Sequence, residues 1–273
     1  MSTIHKNKLS AIHNLVIECT DKLSKREGLL LPKELLKAAD IQEYEQIIVT
    51  RIRKNSAVNR IRTIALSDEH CDTAVACGSI AHFFNSGDLT CIISESYLTA
   101  KNLSLYGEDA WPIIDIGFDP ETNTNNQYWK IELQYHSKKI MLNENTPDDK
   151  IIESRSTIVR QRLSSMVYGL VINKTHPNCL QGSAEIPASV LSDADISQYS
   201  SVSVYNASVG GVADTYAVAM PEGIVMTTGA MESFATIGHR VNVATFVLAE
   251  HTVTPRFCYT DGTSVKNADA VNE

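Results

Sequence analysis

The sequence predicts a mainly β protein made of two similar small barrels in tandem, joined by a connector that forms a hairpin. Three observations support this prediction. Short runs rich in Val, Ile and Thr alternate with turn residues along the chain. One series of motifs occurs twice, and one polar segment with an alternating centre occurs only once.

Eight runs have the composition of β-strands, four in each copy of the repeat. They are NLVIEC, QIIVTRI, RTIALS and TCIIS in the first copy, and GLVIN, SVSVYN, TYAVAM and VNVATFVLA in the second. One short amphipathic helix per copy is predicted at 33–39 and at 188–194, where apolar residues recur three or four positions apart. Many short strands with few helical residues are typical of a small barrel.

The repeat is clearest when residues 31–49 are set above residues 186–204. Without a gap, a proline, a leucine, an Ala-Asp-Ile triplet and a tyrosine coincide. Further along, two glycines of GSIAHFFNSGD match two glycines of GAMESFATIGH. Because several residue types recur in the same order, we interpret the chain as a tandem duplication. The predicted units are a first barrel at 1–120, a connector at 121–155 and a second barrel at 156–273.

Composition excludes several classes of function. The chain has 273 residues and a formal net charge of −8, with no basic patch typical of nucleic-acid binding. No apolar run approaches the roughly 18–20 residues that span a bilayer, so we expect no membrane partner. Six scattered cysteines without a CxxC pair, and an N-terminus without signal-peptide features, predict a cytoplasmic protein with reduced thiols and no metal site.

A Gly-Ser pair distinguishes the two copies. The second copy has QGSAEIP and the first has EGLLLP. Aligned at Gly28 with Gly182 and at the following prolines, the first copy is one residue short, and the missing residue is the serine. A Gly-Ser pair is often only a flexible turn. The alternative is that Gly182-Ser183 is a chemical site that the first copy lacks.

These motifs together resemble the bacterial aspartate 1-decarboxylase family. The resemblance is clearest in the second copy, in Gly182-Ser183, DADI at 193–196, Thr215-Tyr216 and TTGA at 227–230. It implies a double-psi β-barrel for each copy. It also implies assembly of four barrels with sites at their interfaces, so that a duplicated chain would form a homodimer.

The resemblance further implies self-cleavage between Gly182 and Ser183. The Ser183 hydroxyl would attack the Gly182 carbonyl to form an ester, and elimination and hydrolysis would leave a covalent pyruvoyl group derived from Ser183. A helper protein for this maturation is also an implied partner. Decarboxylation of an amino acid leaves a carbanion that needs an electron sink, and a ketone that condenses with the substrate amine supplies one. Without the serine, the first copy cannot form that ketone.

By the same resemblance, Thr215 assists cleavage by bonding the scissile carbonyl, and Tyr216 protonates the carbanion. A tyrosine hydroxyl within hydrogen-bond reach is a reasonable acid, and a tyrosine packed on a barrel strand is the other interpretation. The backbone of Thr228, Gly229 and Ala230 would line the substrate pocket. Thr228 stands where the family has asparagine.

The second copy lacks the cation that the family uses for the substrate carboxylate. The family places an arginine three residues before Thr-Tyr, and Val212 stands there. The first copy instead has Arg60 at that spacing. We therefore consider a composite site in which Arg60 binds substrate and Lys8, or its counterpart Arg162, adds a second cation. A solvated strand arginine is the other interpretation of Arg60.

The predicted function is a carboxy-lyase, a pyruvoyl-dependent amino acid α-decarboxylase. Its default substrate by resemblance is L-aspartate, converted to β-alanine, and the missing cation leaves a related small amino acid open. The alternative is a non-catalytic double-psi barrel that keeps an uncleaved Gly182-Ser183 bond and serves as a binding or assembly protein.

Overall fold

The computed structural model describes most of the chain outside the predicted connector. The described residues are 4–52, 59–68, 71, 73–99, 113–116, 131–132, 158–178 and 182–266. Of the connector predicted at 121–155, only 131–132 is described. The described part is mainly β, as predicted. None of its helices has the length and apolar character needed to cross a membrane.

The described residues of the N-terminal half form strands of 2 to 18 residues, one α-helix and one 3-10 helix. Its elements are β1 (Ile4–Asp21), β2 (Gly28–Pro32), α1 (Lys33–Ala38), β3 (Gln46–Ile52), β4 (Asn59–Asp68), β5 (Ala74–Cys77), the 3-10 helix Gly78–His82, β6 (Asp88–Thr99), β7 (Ile113–Ile116) and β8 (Ile131–Glu132). The predicted helix at 33–39 is confirmed, and the run QIIVTRI coincides with β3.

The described C-terminal half has a similar order of elements, with an additional short strand after its first strand. Its elements are β9 (Val159–Val171), β10 (Lys174–His176), β11 (Ser183–Pro187), α2 (Ala188–Asp193), β12 (Ser201–Asn206), β13 (Val212–Met220), β14 (Met226–Thr228), α3 (Ala230–Phe234), β15 (Arg240–Ala249) and β16 (Arg256–Tyr259). The predicted helix at 188–194 is confirmed, and the run SVSVYN coincides with β12.

Each half closes its strands into a ring. In the N-terminal half the order is β1–β6–β3–β4–β2–β5 and back to β1, with β1–β5 and β2–β4 parallel. In the C-terminal half β9–β15–β12–β13–β11–β14–β10 follow the same order, and β10 continues the path of β9. Closure removes the exposed edges of the sheet. This architecture is consistent with a double-psi barrel domain.

Two bulges recur at corresponding places in β1 and β9. The register of β1 against β6 shifts between Lys8 and Ser10 and again between Ile12 and Leu15. The register of β9 against β15 shifts across 163–165 and again across 167–170. These shared irregularities allow positions in the two halves to be compared strand by strand.

Two separate apolar cores fill the halves, and a third cluster lies between them. In this third cluster, Ile64 and Leu66 of β4 pack against residues of the C-terminal half, namely Leu163, Met166, Tyr205 and Ala244. A buried ion-pair network joins the halves nearby. Arg160 Nη2 lies 2.7 Å from Asp40 Oδ2, and Arg160 Nη1 lies 2.9 Å from Glu45 Oε2. Removal of one partner from such a buried pair typically costs about 3–5 kcal/mol, so this network fixes the contact between the halves.

Candidate active site

The Gly182–Ser183 bond lies at the start of β11, where two neighbouring strands present threonines to it. Thr215 Oγ1 of β13 donates a hydrogen bond of 2.7 Å to the Gly182 carbonyl oxygen. Thr215 is only 7% exposed. It comes to this position because β11 and β13 are parallel, with Ala184 opposite Ala217. A buried hydroxyl therefore donates a hydrogen bond to the carbonyl of the Gly-Ser bond at which the sequence predicts cleavage.

Ser183 is held by Thr228 of β14. The two residues face each other across the antiparallel β11–β14 pair. The Ser183 backbone N–H donates to Thr228 Oγ1 at 3.1 Å, and the two hydroxyl oxygens lie 2.7 Å apart. Sequence reasoning assigned Thr228 to the substrate pocket and missed this contact. Its register on β14, which the sequence does not reveal, brings it to the serine.

Glu185 also lies beside the serine, and sequence reasoning missed it. Ser183 Oγ donates to Glu185 Oε1 at 3.4 Å. The signal was available, because residues two apart on a strand share a face. The carboxylate is a hydrogen-bond acceptor within reach of the serine hydroxyl.

The segment Gly229-Ala230 closes the other side of the bond. Gly229 has a φ of +52°, and its N–H donates to the His176 carbonyl at 3.1 Å. Ala230 begins α3. A Cβ placed on Gly182 would lie 3.3 Å from the Met231 backbone nitrogen. Gly182 therefore lies close against the start of α3, where a larger residue would have little room.

Tyr216 points away from Thr215, to the outer face of β13. Side chains alternate along a strand, and Thr215 is buried whereas Tyr216 is 59% exposed. Ala184 of β11 pairs with Ala217 of the parallel strand β13. The residues directly before them, Ser183 and Tyr216, therefore lie next to each other on the outer face of the two strands. The structure thus brings Tyr216 onto the face that carries the serine.

Residues 158–264 match the aspartate decarboxylase family model. This match supports an aspartate decarboxylase-like family for the segment that contains Gly182, Ser183 and both threonines. No curated protein matches the chain.

The corresponding position in the N-terminal half holds a glycine, and the predicted gap there is wrong. Gly28 pairs with Cys77 of β5, the strand that corresponds to β14, where Thr228 pairs with Ser183. The next residues agree, because Leu29 pairs with Ala65 in the way that Ala184 pairs with Ala217. No residue is missing, because Gly28 stands in the place of the serine. Its φ is +144°, and an added Cβ would lie 2.4 Å from the Ile64 carbonyl oxygen. The backbone of this half therefore has no room for a serine side chain.

Glu27 takes the place of Gly182 in the N-terminal half. Its carboxylate is fully buried and accepts hydrogen bonds from the Ser79 N–H at 3.0 and 3.1 Å, from Ser79 Oγ at 2.5 Å and from Asn242 Nδ2 at 3.0 Å. Burial raises the pKa of Glu27 from its ordinary value of 4.5 to about 7, and the hydrogen bonds partly oppose this rise. Asn242 belongs to the C-terminal half, so Glu27 also joins the two halves.

Within one chain, the predicted cations do not meet Ser183. Arg60 lines a cavity of about 540 Å³ with Val212 and Phe234 but not with Ser183. Arg60 Nη2 lies 3.7 Å from Glu95 Oε1, in an ion pair whose arginine side chain is 57% exposed. The composite site predicted from the sequence is therefore not assembled inside a single chain.

The predicted equivalence of Lys8 with Arg162 is wrong by one residue. Lys8 and Leu163 occupy the same place beside the first bulge of β1 and β9. Lys8 is exposed. Arg162 is 1% exposed, and its guanidinium nitrogens have no hydrogen-bond partner in the described part of the chain. Burial lowers the pKa of Arg162, and this buried side chain is unavailable to a substrate.

Proposed function

We propose that the protein is a pyruvoyl-dependent amino acid α-decarboxylase that cleaves itself between Gly182 and Ser183. The observation that carries the proposal is the pair of threonine contacts at this bond. Thr215 Oγ1 lies 2.7 Å from the Gly182 carbonyl oxygen, and Thr228 Oγ1 lies 2.7 Å from the Ser183 hydroxyl. One contact polarises the electrophile and the other orients the nucleophile. The aspartate decarboxylase match over 158–264 supports the same reaction class.

The proposed self-cleavage uses these positions. Ser183 Oγ attacks the Gly182 carbonyl carbon while Glu185 accepts its proton, and Thr215 stabilises the oxyanion that develops on the Gly182 oxygen. The C–N bond breaks as Glu185 returns the proton to the leaving nitrogen, and an ester forms, which frees the Ser183 amino group. Elimination then removes the Cα proton of residue 183, breaks the Cβ–O bond and releases the Gly182 carboxylate. Hydrolysis of the resulting dehydroalanyl end releases ammonia and leaves the pyruvoyl group.

The surroundings of Ser183 fit such a group. The residue begins a strand, its side chain is half-buried, and Tyr216 stands on the same face. The pyruvoyl carbonyl supplies the electron sink for the decarboxylation. Tyr216 is the proposed donor of the proton to the substrate Cα. The proposed substrate is L-aspartate, by the family resemblance. Because Val212 offers no charge for a second carboxylate, a related small amino acid is the alternative substrate.

In the proposed enzyme, a second chain covers the outer face of β13, which carries Tyr216. Ile64 occupies the position of Tyr216 in the N-terminal half, and the C-terminal half covers it to 1% exposure. Tyr216 itself remains 59% exposed. We propose that the halves arose by tandem duplication and that the N-terminal half of a second chain covers Tyr216 by the same contact. Such head-to-tail contacts close a ring when the rotation permits, and two chains then give four barrels in a homodimer.

A denaturing gel of the purified protein tests the proposal. Cleavage predicts fragments 1–182 and 183–273, which in proportion to length weigh about 20 and 10 kDa of the 30.1 kDa chain. Ser183→Ala should give one intact band, and Glu185→Gln should slow the appearance of the fragments. An intact parental chain would instead favour the non-catalytic binding or assembly protein. A parental rate in Glu185→Gln would remove Glu185 as the proton acceptor.

A further inference from the structure

We propose that a cleft between the two halves binds a small multivalent anion. This basic cleft has a volume of about 470 Å³, within the range of small-molecule sites. Four cationic residues line it. They are Lys22 and Lys25 from the N-terminal half, and Arg240 and Lys266 from the C-terminal half.

The charge of the basic cleft is opposite to that of the whole molecule. The chain carries a formal net charge of −8, yet no acidic residue lines the cleft in the part of the chain that the structure describes. Among the described residues, none of the four cations forms an ion pair. Four like charges gathered in one concave site attract anions and concentrate them there.

Three acids of the surrounding segments already have partners of their own. Asp21 accepts the Leu23 N–H at 3.1 Å, and Asp261 accepts the Ser264 N–H at 3.1 Å and its hydroxyl at 2.9 Å. Glu27 lies behind Asn242, whose amide donates to it at 3.0 Å. In the described part of the chain, none of these three carboxylates forms an ion pair with a cation of the basic cleft.

Three neutral side chains of the basic cleft already form hydrogen bonds with backbone groups. Ser208 Oγ accepts the Arg240 N–H at 2.8 Å, Thr260 Oγ1 donates to the Tyr168 carbonyl at 2.9 Å, and Asn242 Oδ1 accepts the Gly169 N–H at 3.0 Å. A compact ligand with two or more phosphate or carboxylate charges matches the site, because arginine and lysine form their strongest hydrogen bonds with such groups.

The location suggests what such binding does. Asn242 forms one wall of the basic cleft and holds Glu27, which occupies the place of Gly182 in the half without the serine. Because the cations come from both halves, a bound anion bridges them. Ligand binding therefore stabilises the contact between the halves. The inference holds whether or not the chain cleaves itself.

Calorimetric titration of the intact chain tests the inference, with inorganic pyrophosphate and citrate as probes and potassium chloride at matched ionic strength as reference. We expect at least one probe to bind with one-site stoichiometry and to raise the unfolding temperature. Pyrophosphate and citrate distinguish a phosphate ligand from a carboxylate ligand. Lys25→Ala and Arg240→Ala, one from each half, should each weaken binding by about tenfold or more, as expected for the loss of a charge-assisted hydrogen bond.

Two controls separate this site from general charge and from the proposed catalysis. Lys37→Ala removes an exposed lysine of α1 outside the basic cleft and should leave binding unchanged. Ser183→Ala should also bind like the parent, because binding does not need cleavage. The inference is overturned if neither probe binds more tightly than chloride, or if Lys25→Ala and Arg240→Ala bind as well as Lys37→Ala.

Discussion

Replacement of Thr215 by valine separates the chemistry of cleavage from the stability of the fold. Valine keeps the shape of the side chain but removes the 2.7 Å hydrogen bond to the Gly182 carbonyl oxygen. In the folded ground state one neutral hydrogen bond contributes only about 1 kcal/mol, so Thr215→Val should still fold. In the transition state the same oxygen carries developing charge, and loss of one such donor typically slows a reaction by about 10²–10³-fold.

The assay is a time course of fragment formation after a short pulse of cell-free synthesis, read on denaturing gels. Thr63→Val is the matched control, because Thr63 is fully buried on β4 and its hydroxyl has no hydrogen-bond partner in the described residues. We expect Thr63→Val to cleave at the parental rate and Thr215→Ser to retain most of that rate. Thr215→Val that cleaves as fast as the parent would refute the role of this contact.

Three further predictions concern turnover, substrate binding and pH. Tyr216→Phe should be processed normally but should lose roughly 10²–10⁴-fold in kcat, the usual contribution of a positioned acid; full decarboxylation in this variant would assign the proton to another group. If Arg60 of a partner chain binds the substrate carboxylate, Arg60→Ala should lower kcat/KM by roughly 10–150-fold. Arg60→Lys should recover part of the lost kcat/KM. Parental kinetics in Arg60→Ala would show that the N-terminal half takes no part in substrate binding through this residue. Folding raises the pKa of Glu27 from 4.5 to about 7, so the folded state binds the carboxyl proton more tightly than the unfolded state. This proton therefore adds to the free energy of unfolding. The contribution is complete below pH 4.5 and is lost as the pH rises through about 7. The loss is at most about 3 kcal/mol. Urea unfolding at about pH 5 and about pH 8 measures this loss. Glu27→Gln should reduce the difference in the free energy of unfolding between the two pH values. An unchanged difference would show that Glu27 does not cause it.

Much of the fold was predictable because runs with the composition of a β-strand coincide with the strands of the structure. The run QIIVTRI is β3 and the run SVSVYN is β12, without a shift of one residue. The Thr215 contact with Gly182 was also expected from the resemblance, and the structure shows it. The strands needed only their composition, whereas the Thr215 contact was implied by the family resemblance.

The errors came from register, which depends on pairing across the sheet. The placement of a gap beside Gly28 and the pairing of Lys8 with Arg162 were each wrong by one residue, because neither bulges nor cross-strand partners can be read from sequence alone. Glu27 was missed for a related reason. Its burial and its bond to Asn242 arise only when the two halves pack together.

Mass spectrometry of the fragment that starts at residue 183 tests the central claim most directly. If Ser183 becomes a pyruvoyl group, the fragment is lighter by one ammonia molecule than the peptide Ser183–Glu273, and its N-terminus resists sequential degradation. Ser183→Ala, prepared in the same way, should give only the intact chain of about 30.1 kDa. An intact parental chain, or a fragment with an unmodified serine at its N-terminus, would contradict the proposed function.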